Sequence, residues 1–199
     1  EVIGAIVLAA GEARRMGQLK QLLPWGDSTV VEQVVDSVLG AAVEEVVVVV
    51  GHRAPEVVKK LADRHVKIVV NSDYSLGMSS SIRCGLQQLP EGCEGIMLVL
   101  GDQPTVPPQV MRQLTGAFSQ GPQGIVVPVY GGRRGHPVIF SSKYRAELMA
   151  LTRDVGARSI LTAHPQDVLE VPVTSEGVLQ DLNSPADYQR LHRQAFPQS

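Results

Sequence analysis

A three-layer α/β fold, with a mostly parallel sheet covered by helices on both faces, is what this sequence predicts. Three observations predict it. Short β-branched runs alternate with amphipathic segments through the first two thirds of the chain. The runs are unbroken stretches of apolar residues, as expected for strands buried on both faces, and they lack the alternation of a half-exposed sheet. Strand, helix and strand in succession imply right-handed crossovers and parallel neighbours.

In chain order, strands are expected at Ile3–Leu8, Val46–Val50, Val66–Val70, Ile96–Leu100 and Ile125–Val129. The clearest helix is Val30–Leu39. Its Val30, Val31, Val34, Val35, Val38 and Leu39 recur at the helical period, Thr29 and Glu32 form a capping-box pair, and Gly40 can end it. A second helix starts near Pro55, where proline suits the first turn, and carries Val57, Val58 and Leu61. A third follows Ser79–Ser81 and runs through Leu86 towards Leu89, before Pro90. A fourth follows Pro107 and Pro108, with Val110, Met111 and Leu114 on one face. The last third is less regular. Short strands are expected at Val138–Phe140, Val168–Val173 and Val178–Leu182, and a final helix at Pro185–Ala195. No linker, repeat or low-complexity tract divides the chain, so residues 1–199 are expected to form one Rossmann-like domain.

Composition narrows the partners. A formal charge of -2 gives no electrostatic case for nucleic acid, which normally meets a basic face. Any anion site must therefore be local, built from a few placed cations and amides. No apolar run approaches the roughly 18 residues of a membrane helix. Val46–Val50 has only strand length and is stopped by Gly51. The first residues show no secretory pattern. Cys84 and Cys93 have neither CxxC spacing nor partnering histidines. The expectation is a cytoplasmic protein with reduced thiols and no membrane partner.

Ligands of a doubly wound sheet bind beyond the carboxyl ends of its strands. The loop leaving the first strand reads Leu8-Ala9-Ala10-Gly11-Glu12-Ala13-Arg14-Arg15-Met16-Gly17-Gln18-Leu19-Lys20. Glycine and alanine let backbone amides approach an oxyanion. Arginine grips two phosphate oxygens at once, while lysine acts as a mobile point charge. Two better-known phosphate loops fail here. The dinucleotide fingerprint needs a glycine where Ala13 stands, and the P-loop needs a lysine where Gln18 follows Gly17. On these residues alone, an ordinary strand-to-helix turn with solvated cations stays open.

Leu8-Ala9-Ala10-Gly11, then Arg15-Met16-Gly17, then Lys20, closely resembles the signature of the MobA-like nucleotidyltransferases, and within them the molybdenum cofactor cytidylyltransferases. The resemblance extends over nearly the whole chain through Gly101-Asp102-Gln103-Pro104, Arg134-Gly135-His136-Pro137 and Asp181-Leu182-Asn183-Ser184-Pro185. It implies a Rossmann-like sheet of the nucleotide-diphospho-sugar transferase type. It also implies that Leu8, Ala9, Ala10 and Gly11, with Arg15 and Lys20, hold a nucleoside triphosphate near Gly101. Arg15, Lys20 and Asp102 are the implied catalytic residues. Relatives that transfer guanylyl groups carry a second glycine where this chain has Ala10, which tilts the donor towards CTP. Position 13, often serine in relatives, is Ala13.

An Asp after a buried strand is often only a turn residue. Asp102, however, follows the Ile96–Leu100 strand at the same sheet edge as the Lys20 loop. Mg2+ favours one or two carboxylates completed by phosphate oxygens and water. The resemblance makes Asp102 its ligand. Asp181 and Asn183, two apart and on one face of the strand expected there, are both candidates for a second ligand, and Ser184-Pro185 also reads as a plain helix start.

Asn71 and the run Gly77-Met78-Ser79-Ser80-Ser81 open a helix, and helix capping alone explains three hydroxyls there. The same geometry offers amides and hydroxyls to a ligand. The resemblance implies that Asn71, Gly77, Ser79, Ser80 and Ser81 meet the nucleotide, and that His136 and Arg158 face the acceptor. Asp154, Gly156, Ala157 and Arg158 match a family segment, with Arg153 where relatives commonly have glycine. His52, His65, His164 and His192 show no ligand spacing.

The implied activity is Mg2+-dependent transfer of a nucleoside monophosphate, CMP from CTP by preference, to the terminal phosphate of a pterin acceptor, molybdopterin with its metal. Pyrophosphate leaves, and a molybdoenzyme that receives the product is a further implied partner. A phosphate monoester has a second pKa of about 6, so the nucleophile is already ionised near neutral pH and demands no general base. Three other readings remain: a sugar-1-phosphate nucleotidyltransferase, a GTP-dependent relative, and a non-catalytic nucleotide- and cofactor-binding chaperone for a molybdoenzyme.

Overall fold

The computed structural model describes residues 2–12, 18–152 and 156–198. Strand β1 (Ile3–Ala9) is central in the main sheet, parallel to β4 (Glu45–Val50) on one side and to β6 (Gly95–Leu100) on the other. Beyond β4, the parallel β5 (Lys67–Val70) forms one edge. Beyond β6, the antiparallel β9 (Val138–Ser141) leads to β7 (Ile125–Tyr130), which pairs in parallel with β10 (Val168–Pro172) at the far edge. A short β8 (Arg133–Arg134) folds back on β7, and β2 (Pro24–Trp25) pairs with β3 (Ser28–Thr29) in a separate small ladder.

Two cores explain the unbroken apolar runs. In β1, Ile3, Ala5, Val7 and Ala9 enter one core and Ile6 the other; in β4, Val48 and Val50 oppose Val47 and Val49. Side chains alternate across a strand, so a strand covered on both faces must be apolar at every position. Helices α1 (Val30–Leu39), α2 (Ala54–Lys60) and α4 (Pro108–Gln120) cover the first face with Val31, Val34, Val57, Met111 and Leu114. Helices α3 (Met78–Leu86), α5 (Arg145–Met149) and α6 (Arg158–Ala163) cover the second with Ile82, Leu86, Leu148 and Leu161. The fold is the expected three-layer α/β arrangement. Helix α7 (Pro185–Ala195) packs instead on a third, smaller core of Leu23, Trp25, Val30, Leu182 and Leu191. No helix among the described residues is long and apolar enough to cross a membrane.

The start of α1 follows the expected cap. Thr29 Oγ1 accepts from the Glu32 amide at 3.4 Å and donates to Glu32 Oε1 at 2.9 Å, and such a cap contributes about 1 kcal/mol. Leu39 is an exception to the predicted apolar face and is exposed.

One expected element is overturned. Val178–Leu182 is not a strand: a 3-10 turn, Glu176–Leu179, is followed by extended chain. The Val178 carbonyl accepts from the His136 amide at 3.0 Å and from Gln103 Nε2 at 3.3 Å, so loop and side-chain donors hold it, with no ladder. Helices α5 and α6 are absent from the sequence expectation, because five or six residues are too few to display a helical period.

Candidate active site

Parallel pairing brings the carboxyl ends of β1, β4, β5 and β6 to one sheet edge. Two of these ends are fused backbone to backbone. The Gly101 amide donates to the Leu8 carbonyl at 2.9 Å, and a Cβ at position 101 would lie 2.6 Å from that oxygen. Only glycine permits this approach. It draws Asp102, the next residue, against the first loop.

Lys20 begins a 3-10 turn, Lys20–Leu22, and its Nζ donates to Asp102 Oδ2 at 2.9 Å. Both side chains are mostly covered, at 20% and 17% exposure. From the far end of the chain, the Leu182 amide donates to the Asp102 carbonyl at 3.2 Å, which sets Asp181 and Asn183 beside it. Gln103 Nε2 donates to Asp181 Oδ1. Burial pushes the Asp181 carboxyl above its ordinary value and the Asp102 charge adds to this, while hydrogen bonds from Gln103 and Asn183 and the Lys20 charge pull it back. Two carboxylates therefore repel one another across a site that holds one ammonium.

His136 joins the same field. Burial pushes its imidazole below the ordinary range; Asp102 opposes that shift and Arg158 adds to it. Its amide is tied to Val178, and the His136–Pro137 bond is cis. The exposed Arg158 opens α6. Thus Lys20, Asp102, Asp181, Asn183, His136 and Arg158, spread over most of the sequence, come within one electrostatic neighbourhood.

The residues of the Asn71 segment are less open than their chemistry suggests. Asn71, Ser79, Ser80 and Ser81 are all buried. Asn71 Nδ2 donates to Ser80 Oγ at 2.9 Å and to Ser81 Oγ at 3.0 Å, and Asn71 Oδ1 accepts from the Asp73 amide at 3.0 Å. This network ties the end of β5 to the start of α3, with Gly77 at φ 100° turning the chain between them. Leu8 is half-buried, Ala9 and Ala10 are buried, and Gly11 is exposed with open space where a Cβ would lie. Arg15 lies outside the described residues, as do Ala13, Arg14, Met16 and Gly17, and Arg153 and Asp154.

Asp181 and Asn183 do not share a strand face, since no strand forms there, but the Asn183 side chain is near enough to pull the Asp181 carboxyl down. The plain helix start at Ser184-Pro185 also holds, for Ser184 Oγ caps α7 by accepting from the Asp187 amide at 3.1 Å. Two residues carry roles that the sequence pattern does not single out. Gln103 orients Asp181, and its signal is its place in the Gly101-Asp102-Gln103-Pro104 motif, which by itself assigns it no role. Leu182, fully buried between two candidate ligands, is signalled only by its place in the Asp181–Pro185 motif.

Among the described residues no three His, Cys, Asp or Glu side chains gather in a cage. Mg2+ bound through one or two carboxylates, phosphate oxygens and water needs none. The Asp102–Asp181 pair, with its surplus negative charge and neighbouring amide oxygen of Asn183, suits such an ion.

Comparison with known proteins gives the family. The chain is 26% identical over 187 residues to the molybdenum cofactor cytidylyltransferase of Escherichia coli K12, covering 94% of this chain and 93% of that protein. It is 30% identical over 198 residues to the nicotine blue oxidoreductase of Paenarthrobacter nicotinovorans, covering 95% and 96%. The structure superposes on Rv0371c of Mycobacterium tuberculosis H37Rv in complex with manganese with a TM-score of 0.84, at 31% identity over 97% of this chain and 99% of that one. The profile of the MobA-like NTP transferase domain matches residues 5–168, a span that contains Lys20, Asp102 and His136. Over that length the match leaves no doubt of ancestry: the chain belongs to the MobA-like NTP transferase family.

Proposed function

We propose that this nucleotidyltransferase transfers CMP from CTP to the terminal phosphate of a molybdopterin-type acceptor, acting as one domain in the cytoplasm. The observation that carries the reading is the convergence of Lys20 with Asp102 and Asp181, a cation and two carboxylates at one sheet edge. Fold likeness alone would not support it, because one fold hosts many chemistries.

In the proposed reaction an acceptor phosphate oxygen attacks the α-phosphorus in line. A new P–O bond forms as the bond from the α-phosphorus to the bridging oxygen breaks, and pyrophosphate carries away the electron pair. Lys20 leaves Asp102 to neutralise the triphosphate, with Arg15 as a second cation. Asp102 and Asp181, with Asn183 alongside, would hold Mg2+. When bound, the ion supplies charge neutralisation to the phosphates. His136, kept neutral by burial, offers the acceptor a hydrogen bond without adding charge, and Arg158 supplies a positive charge. The Asn71 network shapes the segment that meets the base, and Ala10 favours cytosine. Catalysis on this reading is positioning and electrostatics.

The test is pyrophosphate release with each of the four nucleoside triphosphates and purified molybdenum cofactor. Release with CTP well above GTP is expected, and release must require the acceptor. Equal turnover with a sugar 1-phosphate, preference for GTP, or binding of nucleotide and cofactor without pyrophosphate would each replace this reading with one of its rivals.

A further inference from the structure

Two segments of the site abut a small core that is separate from those on the two faces of the sheet. Leu23, Trp25, Val30, Leu182 and Leu191 are each at most 8% exposed and cluster together. Aromatic rings close this core: Trp25 meets the rings of His192 and Phe196, each at 5.6 Å, and Tyr188 Oη donates to the Pro24 carbonyl at 2.6 Å. The Phe196 ring lies over Gly26, where φ is 60° and a Cβ would be 2.8 Å away.

Two parts of the candidate site, the Lys20 turn and the Asp181–Asn183 segment, run into this core within a few residues. The Leu23 amide donates to the Lys20 carbonyl at 3.2 Å, and the Val30 amide donates to the Leu23 carbonyl at 3.0 Å. Leu182 has no exposed surface, its amide holds the Asp102 carbonyl, and its chain neighbours are Asp181 and Asn183. Its side chain is therefore a plug and its amide a strut. Together they fix both the rotation and the depth of the segment that carries the two candidate ligands.

We infer that Leu182 is a positioning residue that sets Asp181 and Asn183 against Asp102 and Lys20. The inference rests on reading this site as a metal–nucleotide site. Truncating the plug leaves a cavity into which the segment can sink or turn. A displacement of about 1 Å at a reacting centre is enough to cost on the order of 100-fold in rate. Residues that orient metal ligands from outside change metal affinity or activity by about 10- to 100-fold when lost.

The experiment compares Leu182→Ala and Leu182→Met with Leu89→Ala, all in the full chain. Leu89 is buried against Gly4, near the amino end of the central β1 and away from the carboxyl ends that carry the site, so its loss removes the same atoms far from the site. Three quantities are read well below each melting midpoint: Mn2+ affinity without nucleotide, kcat, and KM for CTP. Leu182→Ala is expected to weaken Mn2+ binding and lower kcat by about 10- to 100-fold, with KM changing less than kcat. Leu182→Met, which conserves volume, is expected to recover to within about threefold on both. Leu89→Ala, though less stable, should match the natural chain. Natural-like Mn2+ affinity and kcat in folded Leu182→Ala, or equal losses in Leu89→Ala, would overturn the positioning role while leaving the activity standing. A natural chain that neither binds Mn2+ nor releases pyrophosphate would overturn the reading of the site, and the inference with it.

Discussion

Replacing Lys20 by alanine removes the ammonium that lies 2.9 Å from Asp102 Oδ2. At that separation and an effective dielectric of about 20, the gross attraction is about 6 kcal/mol. Each side chain keeps roughly a fifth of its surface in solvent, so desolvation and screening reduce the net contribution to about 1.5–3 kcal/mol, the range of a hydrogen bond to a charged group. For a chain of this length, each kcal/mol moves the melting midpoint by about 2–4 °C, so a fall of roughly 3–12 °C is expected. Turnover should fall further, by about 100- to 1,000-fold, as for other preorganised charge donors. Metal binding should move the opposite way. With the ammonium gone, Asp102 and Asp181 lose the cation bonded to Asp102, and Mn2+ alone should bind up to about tenfold more tightly, about 1.4 kcal/mol. Pyrophosphate release, a Mn2+ titration without nucleotide and a melting scan measure the three effects. Near-normal turnover in Lys20→Ala, or weaker Mn2+ binding, would refute the reasoning.

Asp181→Asn separates stability from activity in the same site. Because burial and Asp102 both disfavour the charged carboxyl, the metal-free variant should unfold at higher denaturant than the natural chain at pH 7, yet lose Mn2+ binding in the titration. Gly101→Ala forces a Cβ to 2.6 Å from the Leu8 carbonyl; urea unfolding should show a loss of about 1–3 kcal/mol, and an unchanged midpoint would mean the two loops are not fused. His136 imposes a pH dependence. Its folded pKa lies below the ordinary 6.5, so the unfolded chain binds the proton more readily. Stability from this group is complete above about 6.5 and is lost as pH falls towards the folded value. Unfolding midpoints from pH 8 to pH 5 should fall less steeply in His136→Gln than in the natural chain, and parallel slopes would exclude the effect.

Much of the site is legible in the amino-acid order, for reasons visible in single residues. Gly101-Asp102 announces itself because an acid directly after a buried apolar strand must emerge at the sheet edge, whatever else the chain does. Lys20 follows a small-residue loop off β1, and β1 and β6 prove to be direct neighbours. Asn71 and the serines are legible only as chemistry, which cannot tell a hydroxyl aimed at a ligand from one bonded to Asn71. Val178–Leu182 has the composition of a strand, and what prevents one is a set of donors, His136 and Gln103, that lie far away in the chain.

The amino-acid sequence by itself determined the layers, most strands and helices, and the chemical identity of the groups at the sheet edge, because periodicity and local capping act over a few neighbouring residues. Tertiary structure alone decided that β9 runs antiparallel between β6 and β7, that Asp181 stands beside Asp102, and that Leu182 anchors both through a core of its own. Such contacts join residues far apart in the chain. They depend on which surfaces pack and which backbone donors remain to be satisfied, and no local pattern encodes those choices.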